Sequence, residues 1–207
     1  MAMINVMRRL IILSTIFFIS ITTSAEYALV ADYVIDGKSD DLLKNKVILV
    51  SGKKIVSIID IDAIPEKYTV INLPETTLMP GMVNAHEHPL LYQSDYQNGH
   101  LQASSAFKAL IGLKTLQRLL ASGWTSIRVM GDGDIYYANQ DIRKAIDRDM
   151  FLGPRLTGAA HYISITGGGG DINYLSPEQA VIADGLIADG PHEIRKAIRQ
   201  EIKFGSD

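Results

Sequence analysis

The sequence predicts an α/β protein in which a small β-rich module precedes a parallel sheet built from βαβ units. Two observations lead to this fold class. Short β-branched segments occupy residues 27–73, and after Leu78 apolar strands alternate with segments of helical periodicity. Such alternation is typical of right-handed connections around a parallel sheet. We therefore expect a β module over residues 26–77 and an α/β unit over residues 78–207.

The β module is predicted to be an antiparallel sheet. Its candidate strands are residues 27–35, the two arms of 47–59, and 68–73. The tripeptide Ser51-Gly52-Lys53 in the middle of the second segment is typical of a hairpin turn. A module of about 50 residues can form only a small core, so we expect it to depend on the rest of the chain.

Three strand–helix pairs are expected in the second unit. Each of the strands, 77–86, 125–130 and 155–159, is followed by a helix, at 104–123, 136–149 and 191–204. Gly123 and Gly205 stand where a helix-ending glycine belongs, and Pro191 suits a first helical position. The connection 161–190 is longer than ordinary loops, so we expect a functional lid or a disordered segment, with a helical turn at 177–182.

Composition excludes several classes of function. The net charge is −3 and no basic run occurs after residue 9, so nucleic-acid binding has no electrostatic support. The chain has no cysteine, which excludes disulfides and thiolate metal sites. A metal ion would therefore be held by His, Asp, Glu or a modified side chain.

The N-terminus is typical of a secretory signal peptide. Arg8 and Arg9 precede an apolar segment, residues 10–21, and the small residues 23–25 form a cleavage site. The apolar segment is shorter than the ~20 residues of a membrane-spanning helix. We expect cleavage after Ala25 and a secreted or periplasmic protein without stable membrane insertion; an uncleaved membrane anchor is the alternative.

His86 and His88 form the most informative pair of residues in the chain. They close the apolar segment 78–89, and side chains at positions i and i+2 of a strand project from the same face. Neutral imidazole is the commonest metal ligand in proteins. The pair therefore predicts half of a catalytic metal site, with an unliganded surface pair as the alternative. Glu87 faces the other side, so we expect it to support the site or pack beside it.

Other polar residues follow the ends of the next strands, where active sites of α/β proteins lie. Asp132 and Asp134 are typical of a turn, and a catalytic role is the alternative interpretation. His161 is a candidate substrate contact. Arg128, within a strand, is a candidate either for a buried ion pair or for binding a substrate carboxylate.

Five segments in order and spacing, residues 78–88, 122–132, 153–159, 164–171 and 188–207, resemble the metal-dependent amidohydrolase superfamily, and most closely its imidazolonepropionase-like and Xaa-Pro dipeptidase-like members. The resemblance implies a (β/α)8 barrel, incomplete at residue 207, with a small β-sandwich. It implies one or two divalent metal ions, usually zinc, with His86 and His88 as the first two ligands. The other ligands and the catalytic residues are expected beyond Asp207. Related sequences often have a histidine where this chain has Gly169.

The activity that the resemblance implies is hydrolysis of an amide or other non-ester C–N bond by metal-activated water. The implied partner is a small-molecule or dipeptide-like substrate, and an oligomer is compatible with the sequence. Because only two metal ligands lie within the 207 residues, we expect this chain alone to be inactive and poorly folded. A secreted non-catalytic remnant and one half of a split enzyme are the alternatives.

Overall fold

The computed structural model describes residues 25–91 and 95–207. These residues fall into two compact units, divided between Pro80 and Gly81. Apart from Ala25, the predicted signal peptide lies outside the described residues. No helix within the described ranges is long and apolar enough to span a membrane.

The first unit is a four-stranded mixed sheet. Its strands are β1 (Glu26–Val34), β2 (Lys46–Ser51), β3 (Lys54–Asp60) and β4 (Thr69–Leu78), in the order β3-β2-β1-β4. The predicted hairpin forms between β2 and β3, where Gly52 has a φ of 58°. The expectation of an entirely antiparallel sheet is wrong, because β4 pairs parallel to β1. After β3 the chain crosses to the open edge of β1, and a strand that arrives there by a crossover runs parallel.

One face of this sheet forms a small apolar core. Ala28, Val47 and Leu49 are buried, and partly buried side chains of β1, β3 and the following segment pack against them. Ile55 and Val56 of β3 are exposed. The described residues of this unit form one sheet, so the expected sandwich stays a prediction.

The second unit has the predicted alternation of parallel strands and helices. Strands β5 (Met82–Glu87), β6 (Trp124–Met130) and β7 (Arg155–Ala159) form a parallel sheet in the order β5-β6-β7. The helices are α1 (Tyr96–Gln102), α2 (Ser105–Ala121), α3 (Ala138–Asp147) and α4 (Pro191–Phe204). The strand expected at 77–86 is divided, since β4 ends before Pro80-Gly81 and β5 begins after it.

Local sequence signals explain the helix ends. The Ser104 hydroxyl accepts a hydrogen bond from Phe107 N at 3.2 Å and caps α2. Gly123 and Gly205 have φ angles of 93° and 106°, the left-handed conformation that ends a helix. Pro191 is at the start of α4, as predicted.

The core of the second unit lies between the helices and one face of the sheet. Leu116 of α2, Ile127 of β6, Ile142 of α3 and Leu156 of β7 are buried together. Ile127 and Val129 point into this core, so Arg128 between them points to the opposite face, where it is exposed. In a (β/α)8 barrel the face opposite the helices is the barrel interior.

The long connection after β7 contains two short strands that the sequence did not predict. β8 (Ile163–Ser164) and β9 (Leu186–Ile187) pair in parallel and bring the two ends of the connection together. Asp189 adds two bonds, accepting from Thr166 N at 2.8 Å and from Thr166 Oγ1 at 2.6 Å. The helical turn expected at 177–182 is wrong. Only one hydrogen-bonded turn, from Ser176 to Gln179, forms there, and Ile182 beyond it has no core to pack into.

Candidate functional site

The two imidazoles at the end of β5 converge. His86 Nε2 lies 3.1 Å from His88 Nε2, and the rings meet edge to face with centroids 5.0 Å apart. His86 is exposed and His88 is half-buried. Both rings therefore meet at one point, as expected from the sequence.

The remaining ring nitrogen of His88 identifies its tautomer. His88 Nδ1 lies 2.6 Å from the carbonyl oxygen of Gly131, which can only accept a hydrogen bond. The proton of a neutral His88 is therefore on Nδ1, and the lone pair is on Nε2, the atom that faces His86. A carbonyl that fixes the second nitrogen is the usual way in which proteins orient a metal-binding histidine.

Gly131 and Tyr162 shape the back of the site. Gly131 has a φ of 93°, and a Cβ there would lie 2.7 Å from both Tyr162 N and Tyr162 Cδ1. The Tyr162 hydroxyl is 3.4 Å from His88 Nδ1, and burial raises the pKa of this phenol. The hydroxyl thus stays protonated at neutral pH beside His88.

Asp132 holds the chain that follows His88. Both of its carboxylate oxygens accept from Leu90 N at 3.2 Å, and Oδ1 also accepts from Gly133 N at 3.1 Å. The side chain is fully buried, and this burial raises the pKa of Asp132 well above its usual value, with Asp134 and Glu87 adding to the increase. The buried Asp132 side chain therefore stabilises the loop through hydrogen bonds to its backbone, and it is not exposed to solvent.

Asp134 is buried in the same loop and joins three elements. Its carboxylate accepts from Ser105 Oγ at 2.7 Å and Ala138 N at 3.2 Å, and it forms an ion pair with Lys108 Nζ at 3.7 Å. These contacts connect the end of β6 to α2 and α3. Both aspartates lie in a turn, as the sequence predicted. The sequence did not predict that both side chains are buried and accept hydrogen bonds.

His161 lies directly after β7 and is buried. Its Nδ1 donates to Glu201 Oε1 of α4 at 2.8 Å, and the ring of Tyr137 packs edge to face at 4.7 Å. Its Nε2 has no hydrogen-bond partner among the described residues. A role for His161 as a substrate contact stays a prediction, and the partner that the structure gives it is Glu201.

Arg128 lies beside the histidine pair along the sheet. In the β5–β6 register, Asn84 is opposite Ile127 and Glu87 is opposite Val129, so Arg128 is level with the segment between them. Its guanidinium forms no ion pair with the described side chains. It lines an open cavity of about 290 Å³ together with Thr157 and Asp207. Both predicted roles of Arg128, the buried ion pair and the binding of a substrate carboxylate, stay predictions.

The histidine pair fits a single metal ion. Two nitrogens that are each ~2.0–2.1 Å from one tetrahedral ion are about 3.3 Å apart, close to the separation seen here. Within residues 25–91 and 95–207, no group of three or more His, Asp or Glu side chains is arranged to hold a metal ion. The described residues therefore offer two nitrogen ligands, fewer than the three of a typical catalytic zinc site.

The family can now be assigned from sequence. Residues 77–207 match the model of the amidohydrolase family. The chain belongs to the amidohydrolase family. This confirms the resemblance and accounts for the open parallel sheet, which is part of the TIM barrel of amidohydrolases with known structures.

Similar amidohydrolases extend beyond the chain. An ochratoxinase from Aspergillus niger is 26% identical over 224 residues, which cover 98% of this chain and 44% of that protein. A Xaa-Pro dipeptidase solved with bound methionine in its active site has 26% identity and a TM-score of 0.75, over 88% of this chain and 46% of that one. A putative prolidase from Bifidobacterium longum has 26% identity and a TM-score of 0.65, over 89% of this chain and 40% of that one. The chain thus spans less than half the length of these relatives.

Proposed function

We propose that this chain contributes the first two metal ligands, His86 and His88, to a hydrolase that cleaves an amide C–N bond in dipeptide-like or N-acyl amino acid substrates. The observation that supports the proposal is the convergence of the two Nε2 atoms at 3.1 Å, with His88 fixed as the Nδ1–H tautomer. Membership of the amidohydrolase family supports hydrolysis as the reaction class.

We assign zinc to this pair because zinc is commonly held by histidine nitrogens. A bound zinc ion lowers the pKa of its water to ~7 and polarises a carbonyl oxygen. His88 would hold the ion more rigidly than His86, because Gly131 fixes its ring. The proposal assigns neither the remaining ligands nor the group that transfers the proton to the leaving nitrogen.

The proposed substrate has a free α-carboxylate that Arg128 binds. The similar Xaa-Pro dipeptidase was solved with methionine, an amino acid with such a carboxylate, in its active site. Arg128 is exposed on the sheet face opposite the helices and is level with His86. A guanidinium binds a carboxylate through two parallel hydrogen bonds, which would orient the scissile amide.

Metal binding and hydrolysis by the intact protein test the proposal. Metal is removed with a chelator, zinc is titrated back by calorimetry, and Xaa-Pro dipeptides and N-acyl amino acids are assayed. We expect His86→Ala and His88→Ala each to weaken zinc binding by at least 100-fold and to abolish hydrolysis. His192→Ala, an exposed histidine on α4, is the matched control and should bind zinc like the wild type. Hydrolysis that survives complete metal removal would refute the proposal.

We further propose that the protein is exported to the periplasm or the exterior. The support is the basic pair Arg8 and Arg9, the apolar segment 10–21 and the small residues 23–25. N-terminal sequencing of the exported protein should give Glu26 as the first residue. A mature N-terminus that still contains Arg8 would contradict cleavage.

A further inference from the structure

The backbone that presents the two histidines leaves the regular ladder between β5 and β6. Asn84 is opposite Ile127 and Glu87 is opposite Val129, so one more residue is used on β5 than on β6. An extra residue of this kind is a β-bulge, which redirects side chains and takes backbone groups out of the ladder. The backbone N–H group of His86, which lies inside the bulge, therefore needs another partner.

Side chains within the same segment accept hydrogen bonds from the backbone amides of both histidines. His86 N donates to Asn84 Oδ1 at 3.0 Å, and His88 N donates to Glu87 Oε1 at 3.2 Å. Asn84 Nδ2 donates to Glu87 Oε2 at 2.6 Å and joins the two acceptors. An unbroken series of three hydrogen bonds thus connects the amide of one histidine to the amide of the other.

We propose that Asn84 and Glu87 are a pair of positioning residues that hold both histidines in the orientation that binds metal. The inference depends on the proposed metal site and adds to it a cause for the convergence of the imidazoles. Neither side chain needs to touch the metal ion or the substrate, because each acts through the backbone of a histidine. Loss of such supporting hydrogen bonds typically weakens metal binding 10- to 100-fold.

The chemistry of the two side chains determines the direction of the hydrogen bond between them. A carboxylate accepts on both oxygens, as Glu87 does, whereas an amide donates through nitrogen and accepts through oxygen, as Asn84 does. Asn84→Asp would replace the donor with an oxygen that faces the Glu87 carboxylate, so the central bond is lost. Glu87→Gln would place an NH₂ group against either Asn84 Nδ2 or His88 N, so one bond is lost in either orientation.

The double variant Asn84→Asp/Glu87→Gln restores the series with its central bond reversed. The new aspartate accepts from His86 N and from the amide nitrogen of the new glutamine, whose oxygen accepts from His88 N. A residue that only filled space would show no such rescue, because the double variant would add two losses. The reciprocal exchange therefore separates positioning by hydrogen bonds from packing.

The test uses the intact protein in two states. In the metal-free protein, amide hydrogen exchange of His86 and His88 is followed by NMR. In the metal-loaded protein, zinc affinity is measured by competition with a chelator. Each single variant should accelerate exchange at one or both histidine amides and weaken zinc binding by about tenfold, and the double variant should return to within about threefold of the wild type. Gln102→Glu and Glu66→Gln, at exposed positions, make the same changes of charge and should have no effect.

Each outcome decides between the alternatives. Single variants that behave like the wild type, or a double variant at least as impaired as the two single variants together, would overturn the inference. If the single variants fail to fold and the double variant folds, the inference is supported. If all three variants fail to fold, the inference is overturned. If the wild type binds no divalent ion, the proposed function fails, while exchange in the metal-free protein still tests the positioning pair.

Discussion

Glu201 of α4 binds His161 twice, at the point where β7 ends. Its carboxylate accepts from His161 Nδ1 at 2.8 Å through one oxygen and from His161 N at 3.2 Å through the other. The second oxygen also accepts from Ala160 N at 2.8 Å and from Ser206 Oγ at 2.7 Å. One buried side chain therefore joins the last turn of α4 to the end of the strand.

We expect Glu201→Gln to destabilise the protein and to change its pH dependence. Burial alone would raise the pKa of Glu201, but hydrogen bonds from His161, Ser206 and two backbone amides outweigh it and lower the pKa to about 2. Since the ordinary value is 4.5, the stabilisation is complete above that pH and is lost as the pH falls through 2. The size is on the order of 3 kcal/mol at pH 7, from ~1.4 kcal/mol for each unit of pKa.

Denaturant unfolding at several pH values between 7 and 2 measures this difference. The gap between wild type and Glu201→Gln should be widest at pH 7 and should close as the pH falls below 4.5. Glu66→Gln, an exposed carboxyl with the same change in charge, is the control and should match the wild type throughout. A gap that is constant across this range would show that the lost stability comes from packing.

Lys108 and Asp134 should show strong energetic coupling. Their side chains are only 6% and 2% exposed, and Lys108 Nζ lies 3.7 Å from Asp134 Oδ1, which has no hydrogen-bond partner among the described residues. Lys108→Met would leave this carboxylate buried without a compensating charge, at a cost of about 3–5 kcal/mol. Adding Asp134→Asn should cost less than the sum of the two single variants by at least ~1 kcal/mol, measured as free energies of unfolding. Additive losses would contradict a direct interaction.

Arg128→Met should separate binding of the substrate carboxylate from the rest of catalysis. The guanidinium points away from the core between the sheet and the helices, so its removal leaves that core intact. We expect KM to rise by at least tenfold for substrates with a free α-carboxylate and to stay unchanged for the same substrates with an amidated C-terminus. Equal effects on both kinds of substrate would assign Arg128 a role other than carboxylate binding.

The elements that the sequence predicts well have local signals at their ends. Helix α4 has the predicted bounds because Pro191 and Gly205 mark them, and β6 begins one residue earlier than expected. The elements that were missed depend on distant partners. Strand β4 is parallel because the open edge of β1 accepts it, and β8 and β9 are two residues each, too short for any periodicity.

The same distinction applies to the candidate site. His86 and His88 could be found because two residues in one strand share a face. The residues that contact the His88 ring come from distant connections: Gly131 is 43 residues and Tyr162 is 74 residues from His88 along the chain. The available signal was a glycine directly after a strand, which is typical of a positive φ but does not reveal where its carbonyl points.

The role of that carbonyl can be tested with Gly131→Ala. Gly131 has a φ of 93° and a Cβ would lie 2.7 Å from Tyr162 N, so the backbone must move and the carbonyl would leave His88 Nδ1. We expect a loss of about 1–3 kcal/mol of stability and about tenfold weaker zinc binding. Nitrogen-15 NMR of the metal-free protein should show that His88 is no longer entirely the Nδ1–H tautomer. Gly169→Ala is the matched control, because a Cβ there has no atom within 4 Å, and it should leave stability, zinc affinity and tautomer unchanged. If Gly131→Ala folds with the wild-type tautomer and zinc affinity, the carbonyl does not orient His88.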